Sequence, residues 1–364
     1  MKKIGIITVH NNCNFGAVLQ AYATQEKLCE LGHDAKIINY VNPYGKNETK
    51  LFSRSLKNNL KTLLMLRGKA SRLKKFKGFM SERYRLSGKA IYDYNNLNED
   101  MFGYDIYLTG SDQTFNLFLK GDIEVRKPYF LPFVKKSKKI SYASSMGEKI
   151  QNVTDDGRSF MKDALSSYDK VLVREEKTAD FIENELNLPR PTVVLDPTLL
   201  VKREKWDELS KPIKYEKGSY ILFYSVLSAP WVIKYVEETA KKLGLKVIAP
   251  HLKNRFEISS DIIHYIDCGP EEFISLIKNA SAVLTTSFHA TVFSIIYNKP
   301  FHSLVMGEGN RIKTLLSSTG LEERAVFEND QKPFDINISF DKANEKLEQL
   351  VEKSTNALID AIGE

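Results

Sequence analysis

The chain has 364 residues, 42% of them apolar and 27% charged, with a formal net charge of +7. At about 150 residues per domain this implies two domains. Each can bury a core without metal or disulfide staples, and the composition excludes collagen-like, low-complexity and wholly disordered chains. The three cysteines, Cys13, Cys29 and Cys268, lie far apart with no CxxC pair. That pattern fits a reducing compartment and argues against a structural zinc site.

The start is basic and then apolar, and His10-Asn11-Asn12 ends the apolar run too early for a signal peptide. No run of about 18 apolar residues follows, so no membrane-spanning helix is expected. The expected location is the cytoplasm, with at most peripheral contact at the inner face of the membrane. Ile4–Val9 reads as a buried strand. Phe15–Leu31 reads as a helix with Val18, Ala21, Tyr22, Gln25, Leu28 and Cys29 near one face, and Gly32 stands where a C-cap glycine belongs. Ala35–Tyr40 is a second strand, and this βαβ opening implies a parallel sheet.

A basic insertion, residues 46–90, follows. Between Arg54 and Lys89 it holds twelve basic residues and one acid, Glu82, so the net positive charge rests on this segment. Leu56, Leu60, Leu63, Leu64 and Leu66 are interleaved there. Residues 51–80 therefore read as a basic amphipathic stretch suited to an anionic membrane surface, with a solvated basic face as the plain alternative.

Strand-like runs then occur at Tyr104–Thr109, Ile140–Ala143, Lys170–Val173 and Thr192–Leu195, with helical runs between several of them. Lys202–Lys217 is charged, contains Pro212 and reads as a linker. A second series alternates strands Tyr220–Val226, Leu245–Ala249, Ile262–Ile266, Ala282–Thr285 and Phe301–Val305 with helices Trp231–Leu243, Glu271–Asn279, His289–Asn298 and Arg311–Ser318. The expected architecture is α/β, two doubly wound Rossmann-like domains facing a cleft. Residues 1–200 form the first domain and 201–217 the linker. Residues 218–340 form the second domain, and 341–364 a final helix able to pack back on the first.

Ligands of open α/β sheets bind at the carboxyl ends of strands, and five segments fall there. In His10-Asn11-Asn12-Cys13-Asn14-Phe15-Gly16, Asn14 can cap the helix and Gly16 permits close backbone approach. Gly110-Ser111-Asp112-Gln113 offers small and polar groups for an acceptor hydroxyl, or for a tight turn. Arg174, after Lys170–Val173, can grip a carboxylate or phosphate bidentately, or pair with a neighbouring acid. In Thr285-Thr286-Ser287-Phe288-His289, Ser287 can cap and His289 falls on the first helical turn, an anion-binding position. There the dipole disfavours imidazolium and a bound anion favours it, so the two effects can poise His289 for acid/base work. Gly307-Glu308-Gly309-Asn310-Arg311 offers a second anion grip, or an ordinary helix start.

Read in order, Asn14-Phe15-Gly16 with Leu19-Gln20, Gly110-Ser111-Asp112-Gln113, Ser141-Tyr142-Ala143-Ser144-Ser145, Val173-Arg174-Glu175, Leu195-Asp196-Pro197-Thr198 and Ser287-Phe288-His289 with Asn298-Lys299-Pro300 resemble the polysaccharide pyruvyl transferase family. The resemblance implies a fold similar to the GT-B glycosyltransferases. It also implies transfer of pyruvyl from phosphoenolpyruvate to two sugar hydroxyls as a cyclic ketal, in surface polysaccharide or lipid-linked oligosaccharide synthesis. It places His289 and Arg174 at the donor site. The residues themselves add Arg311, Ser287 and Asn310 on the donor side, and Asn14, Gly16, Asp112, Gln113 and Ser144 on the acceptor side. Phosphoenolpyruvate enters as co-substrate, and no cofactor, metal or nucleic acid is expected. A nucleotide-sugar glycosyltransferase, with Glu308 as the ribose acid, and a non-catalytic polyanion or membrane-surface binder are the alternatives.

Overall fold

The computed structural model describes residues 1–41, 66–117, 123–227, 229–250, 262–330 and 332–363. They fall into two compact units. The first holds residues 1–41, Met80–Val201 and 347–363; the second holds residues 66–79 and Lys202–Lys346.

In chain order the first part of the protein forms β1 (Lys3–Ile7), α1 (Phe15–Glu30), β2 (Asp34–Ile37), α2 (Leu66–Arg83), β3 (Ile106–Thr109), α3 (Ile123–Arg126), β4 (Lys138–Ser141), α4 (Asp155–Leu165), β5 (Leu172–Val173), α5 (Glu176–Asn184) and β6 (Thr192–Val193). The sheet runs β2-β1-β3-β4, all parallel. The β5-β6 pair continues it through the bridges Ile140–Lys170 and Ser144–Val173. Both faces are covered, and for that reason β1 and β3 read as continuous apolar runs without alternation. One face packs Phe115, Phe130, Met161 and Ile182 together, with Phe115 and Phe130 stacked at 5.0 Å. Full burial of one such ring stabilises by about 1.5–3 kcal/mol.

Helix α1 starts and stops as its caps dictate. Asn14 Oδ1 accepts from Ala17 N at 3.2 Å. At the other end Gly32, at φ +87°, lets Gly32 N reach Cys29 O and His33 N reach Leu28 O. Strand β4 stops at Ser141, short of the predicted Ala143, because Ala143 takes the left-handed conformation, φ +52°.

The second part forms α6 (Arg203–Leu209), β7 (Tyr220–Tyr224), α7 (Pro230–Leu243), β8 (Lys246–Ala249), β9 (Ile262–His264), α8 (Pro270–Asn279), β10 (Ala282–Thr285), α9 (Phe288–Ile296), β11 (Phe301–Leu304), α10 (Asn310–Thr319), β12 (Ala325–Val326) and α11 (Asp341–Ile362). Its sheet runs β9-β8-β7-β10-β11-β12, all parallel. This is the doubly wound order, with its reversal between β7 and β10. Neighbouring residues of β11 face opposite helices: His302 meets Tyr235 of α7, and Ser303 meets Thr291 of α9. So α7 and α9 cover opposite faces.

Two expectations change. Lys202–Lys217 is not a bare linker. It contains α6, whose Trp206 is fully buried and meets Phe293 edge-on at 4.9 Å. Asp207 accepts from the Tyr297 hydroxyl and pairs with Lys278 at 2.8 Å. The helix is short, and its surface charges mask its apolar side. Within the basic insertion, residues 46–65 lie outside the described residues. Over α2 several charges turn inward. Arg72 Nη1 donates to Cys268 O at 3.2 Å, Lys75 pairs with Glu272 at 2.7 Å, and Phe76 and Phe79 are buried. Arg67, Lys74 and Lys77 face outward. Among the described residues no helix is long and apolar enough to cross a membrane.

Candidate active site

The two switch points locate two sets of side chains, one in each unit. In the second unit, Thr286 ties the ends of β7 and β10 together: its Oγ1 accepts from Val226 N at 3.0 Å and Leu227 N at 3.2 Å. Ser287 holds the N-cap position of α9, but its side chain makes no capping bond. Instead Ser287 N donates to Thr285 Oγ1, and Ser287 O accepts from Thr291 N and Oγ1. His289 is the second residue of α9, 7% exposed, with its ring edge-on to Phe288 at 5.2 Å.

The next strand end holds Gly307-Glu308-Gly309-Asn310-Arg311. Gly307 and Gly309 adopt φ +67° and +63°. A Cβ at Gly309 would stand 2.1 Å from Val305 Cγ1, so only glycine fits. Asn310 Nδ2 donates to Glu308 Oε2 at 3.1 Å, and Arg311, half-buried, follows on the first turn of α10. Strands β10 and β11 pair from Val283–Phe301 to Thr285–Ser303. Ser287, His289, Asn310 and Arg311 therefore share neighbouring strand ends. That edge carries the N-termini of α9 and α10, with Arg311 on the first turn of α10, residue types that suit an anion.

The first unit holds a connected buried polar network at the ends of five strands. Gln20 Nε2 donates to Thr8 Oγ1 at 3.0 Å, and Thr8 Oγ1 donates to Ser111 O at 2.9 Å. Ser111 Oγ donates to Asp196 Oδ2 at 2.8 Å. Arg174 Nη1 donates to the same Oδ2 at 2.8 Å and to Ser111 Oγ at 3.2 Å. Its Nε lies 3.7 Å from Glu175 Oε2. Glu175 Oε1 accepts from Ser145 Oγ and Thr178 Oγ1, and Asp196 Oδ1 accepts from Thr198 N and Oγ1. Burial works against the Arg174 charge, but Asp196, Glu175 and Asp112 outweigh it and raise its pKa.

This arrangement changes the sequence reading. Arg174 is 4% exposed and forms the ion pair that was the alternative to a donor grip. Ser144, assigned to the acceptor, is fully buried, and its Oγ donates to Gly110 O and Thr109 O. Gly16 is buried within α1 and offers no open backbone. Asn14 is exposed but already caps α1. Asp112 and Gln113 are half-buried at the reversal between β1 and β3. Asp112 holds φ +73°, a conformation that costs about 1–3 kcal/mol outside glycine. Its carbonyl accepts from Ser145 N, so the network holds that turn.

Sequence reasoning placed Ser111, Glu175 and Asp196 in motifs without giving them a role; their signal is small polar or acidic types at successive strand ends. Thr286 likewise stood in a motif without a role, and Thr8, inside a strand run, was missed because it carries no local signal. His10 is buried, with Nδ1 3.1 Å from Thr8 O and Nε2 3.4 Å from Asn39 Oδ1, and burial lowers its pKa. Among the described residues, no group of three or more His, Cys, Asp or Glu is placed to hold a metal ion.

Among solved structures, the chain is similar to UDP-GlcNAc 2-epimerase from Neisseria meningitidis bound to UDP-GlcNAc. Identity is 13%, coverage is 100% of this chain and 99% of that one, and the TM-score is 0.51. It is also similar to the S. aureus MnaA–UDP complex, at 12% identity, 98% and 91% coverage and TM-score 0.51. The Streptomyces sp. SF2575 glycosyltransferase SsfS6 matches at 11% identity, 100% coverage of both chains and TM-score 0.42. The first two likenesses give the fold, a GT-B-like pair of Rossmann-like units. No curated protein matches. The model of the polysaccharide pyruvyl transferase family matches residues 14–306, a span that runs from Asn14-Phe15-Gly16 through Asn298-Lys299-Pro300 and ends before Gly307-Glu308-Gly309-Asn310-Arg311. The chain belongs to the polysaccharide pyruvyl transferase family.

Proposed function

We propose that the protein moves the pyruvyl group of phosphoenolpyruvate onto two hydroxyls of a sugar, forming a cyclic ketal in the assembly of a surface polysaccharide or lipid-linked oligosaccharide. The observation that carries the reading is the placement of His289, Asn310 and Arg311 on the first turns of the helices that follow two neighbouring, paired strands. Phosphoenolpyruvate is small and carries a carboxylate and a phosphate, and that edge offers a guanidinium, two helix N-termini and an imidazole to meet them.

In the proposed reaction, C3 of the enol takes a proton and C2 becomes oxocarbenium-like. One sugar hydroxyl attacks C2 and gives up its proton. The C2–O bond to phosphate then breaks, the departing phosphate takes up a proton, and the second hydroxyl attacks C2, gives up its proton and closes the ring. The products are the ketal and inorganic phosphate, with no change of oxidation state overall. His289 transfers a proton to C3 or to the departing phosphate. Arg311 and Asn310 hold the anionic groups. Asp112 and Gln113 are the groups offered to the acceptor hydroxyls, and Arg174, acting through Asp196 and Ser111, positions the Asp112 turn.

Turnover in D₂O tests the chemistry. The methyl group of the product should carry deuterium from solvent, and phosphate should appear one for one with ketal. A product without the added pyruvyl mass, or a nucleotide released from a nucleotide sugar in place of phosphate, overturns the reading in favour of glycosyl transfer.

A further inference from the structure

A cavity of about 490 Å³ opens in the second unit between α7 and the stretch that follows β12. It is not the edge that carries His289. Tyr235, on its wall, meets His302, while Ser303 meets Thr291 of α9 on the other side of the sheet. Neighbouring residues of a strand point to opposite faces, so the cavity and α9 lie on opposite faces.

Its lining has two parts. Trp231, Phe327 and Phe334 give aromatic surface. The charged groups are three lysines and three carboxylates, Lys234, Glu238 and Asp330 among them. Equal numbers of the two signs favour neither an anion nor a cation. Aromatic surface beside both donors and acceptors suits a neutral polyhydroxylated ring, whose C–H face packs on an aromatic plane while its hydroxyls bond at the rim.

The site is preformed. The Tyr235 hydroxyl stands 3.0 Å from Lys332 O and 2.5 Å from His302 Nδ1 and hydrogen-bonds both. That pair ties the far wall to α7. Lys332 Nζ donates to Glu323 O and Ala325 O, and Phe334 packs on the imidazole at 4.9 Å. Walls already fixed cost little ordering entropy on binding.

We propose that this cavity is a second saccharide site, which takes one neutral hexose unit of a glycan against Trp231, apart from the site of transfer. The proposal rests on the reading that the protein acts on saccharides, but not on the reaction at His289.

Binding of the full chain to an array of neutral microbial glycans tests it, without phosphoenolpyruvate. The wild-type protein and the His289→Ala variant should bind the same neutral glycans. Trp231→Ala should weaken that binding at least tenfold, and Trp231→Phe, which keeps an aromatic plane, should retain most of it. Intrinsic fluorescence gives a second readout, because the other tryptophan, Trp206, is fully buried. Circular dichroism melting verifies that each variant folds. Should Trp231→Ala not fold, Glu238→Gln, at an exposed position, carries the test and should weaken binding measurably. No neutral glycan bound, or binding unchanged in Trp231→Ala or in the substitute Glu238→Gln, overturns the proposal. Glycan binding lost in Trp231→Ala by a protein that makes no ketal leaves this site standing and removes the transfer reading.

Discussion

Arg174 Nη1 and Asp196 Oδ2 lie 2.8 Å apart, both side chains buried, and join the end of β5 to the segment that follows β6. Removing one partner of a buried pair leaves an uncompensated charge and costs about 3–5 kcal/mol. Asp196→Ala should therefore destabilise by that amount in urea unfolding. Arg174→Lys keeps the charge but not the planar fork, so it should lower stability by less and leave KM for phosphoenolpyruvate unchanged. A loss below about 1 kcal/mol for Asp196→Ala, or a raised KM in a stable Arg174→Lys variant, returns Arg174 to the donor site.

His289→Ala should reduce kcat by about 10²–10⁴, the usual worth of one acid/base group. The melting temperature should stay near that of the parent, because the ring sits at a helix start and not among the core side chains of β10 and β11. Full activity in a folded variant excludes a proton-transfer role.

Gly309 holds φ +63° against Val305. Gly309→Ala must move Val305 or the turn, and should cost about 1–3 kcal/mol of stability. The same shift displaces Asn310 and Arg311, so KM for phosphoenolpyruvate should rise. Calorimetry and steady-state kinetics on the one variant read both effects.

His302 is held neutral. Burial, aided by Arg324 and Lys332, pushes its pKa down from 6.5 to about 3. The unfolded chain takes up this proton near pH 6.5 and the folded chain does not, so the contribution is complete above pH 6.5 and is lost as pH falls toward 3. Unfolding free energy between pH 4 and 6.5 should fall less steeply with acid in His302→Gln than in the parent. Parallel slopes in the two proteins exclude His302 as the source.

Much of the fold is legible along the chain. Ala282–Thr285 is predicted and observed with the same bounds, because a buried parallel strand is an apolar run and Thr286-Ser287 ends it. The stop of α1 follows from Gly32, which alone takes the left-handed turn without strain. Strand β12, two residues long, has too little length to carry a pattern. Helix α6 is hidden because Trp206 supplies most of its apolar side.

The site divides in the same way. Position after a strand selects His289, Arg311 and Asp112, since strand and turn are local. What Arg174 touches is not local: Asp196 lies 22 residues on, and Ser111 reaches Asp196 across 85. An arginine at a strand end can meet a ligand or a carboxylate, and both need the same residue type. The sequence by itself determined the family motifs, the alternation of strands and helices and the strand ends that hold polar side chains, because periodicity and turn chemistry act over a few residues. Tertiary structure alone decided that Arg174 and Ser144 are buried, that α2 turns charges inward and that Trp231 borders a cavity. Each of those outcomes depends on which distant backbone packs against the side chain, and parallel strands are paired across whole crossovers rather than turns.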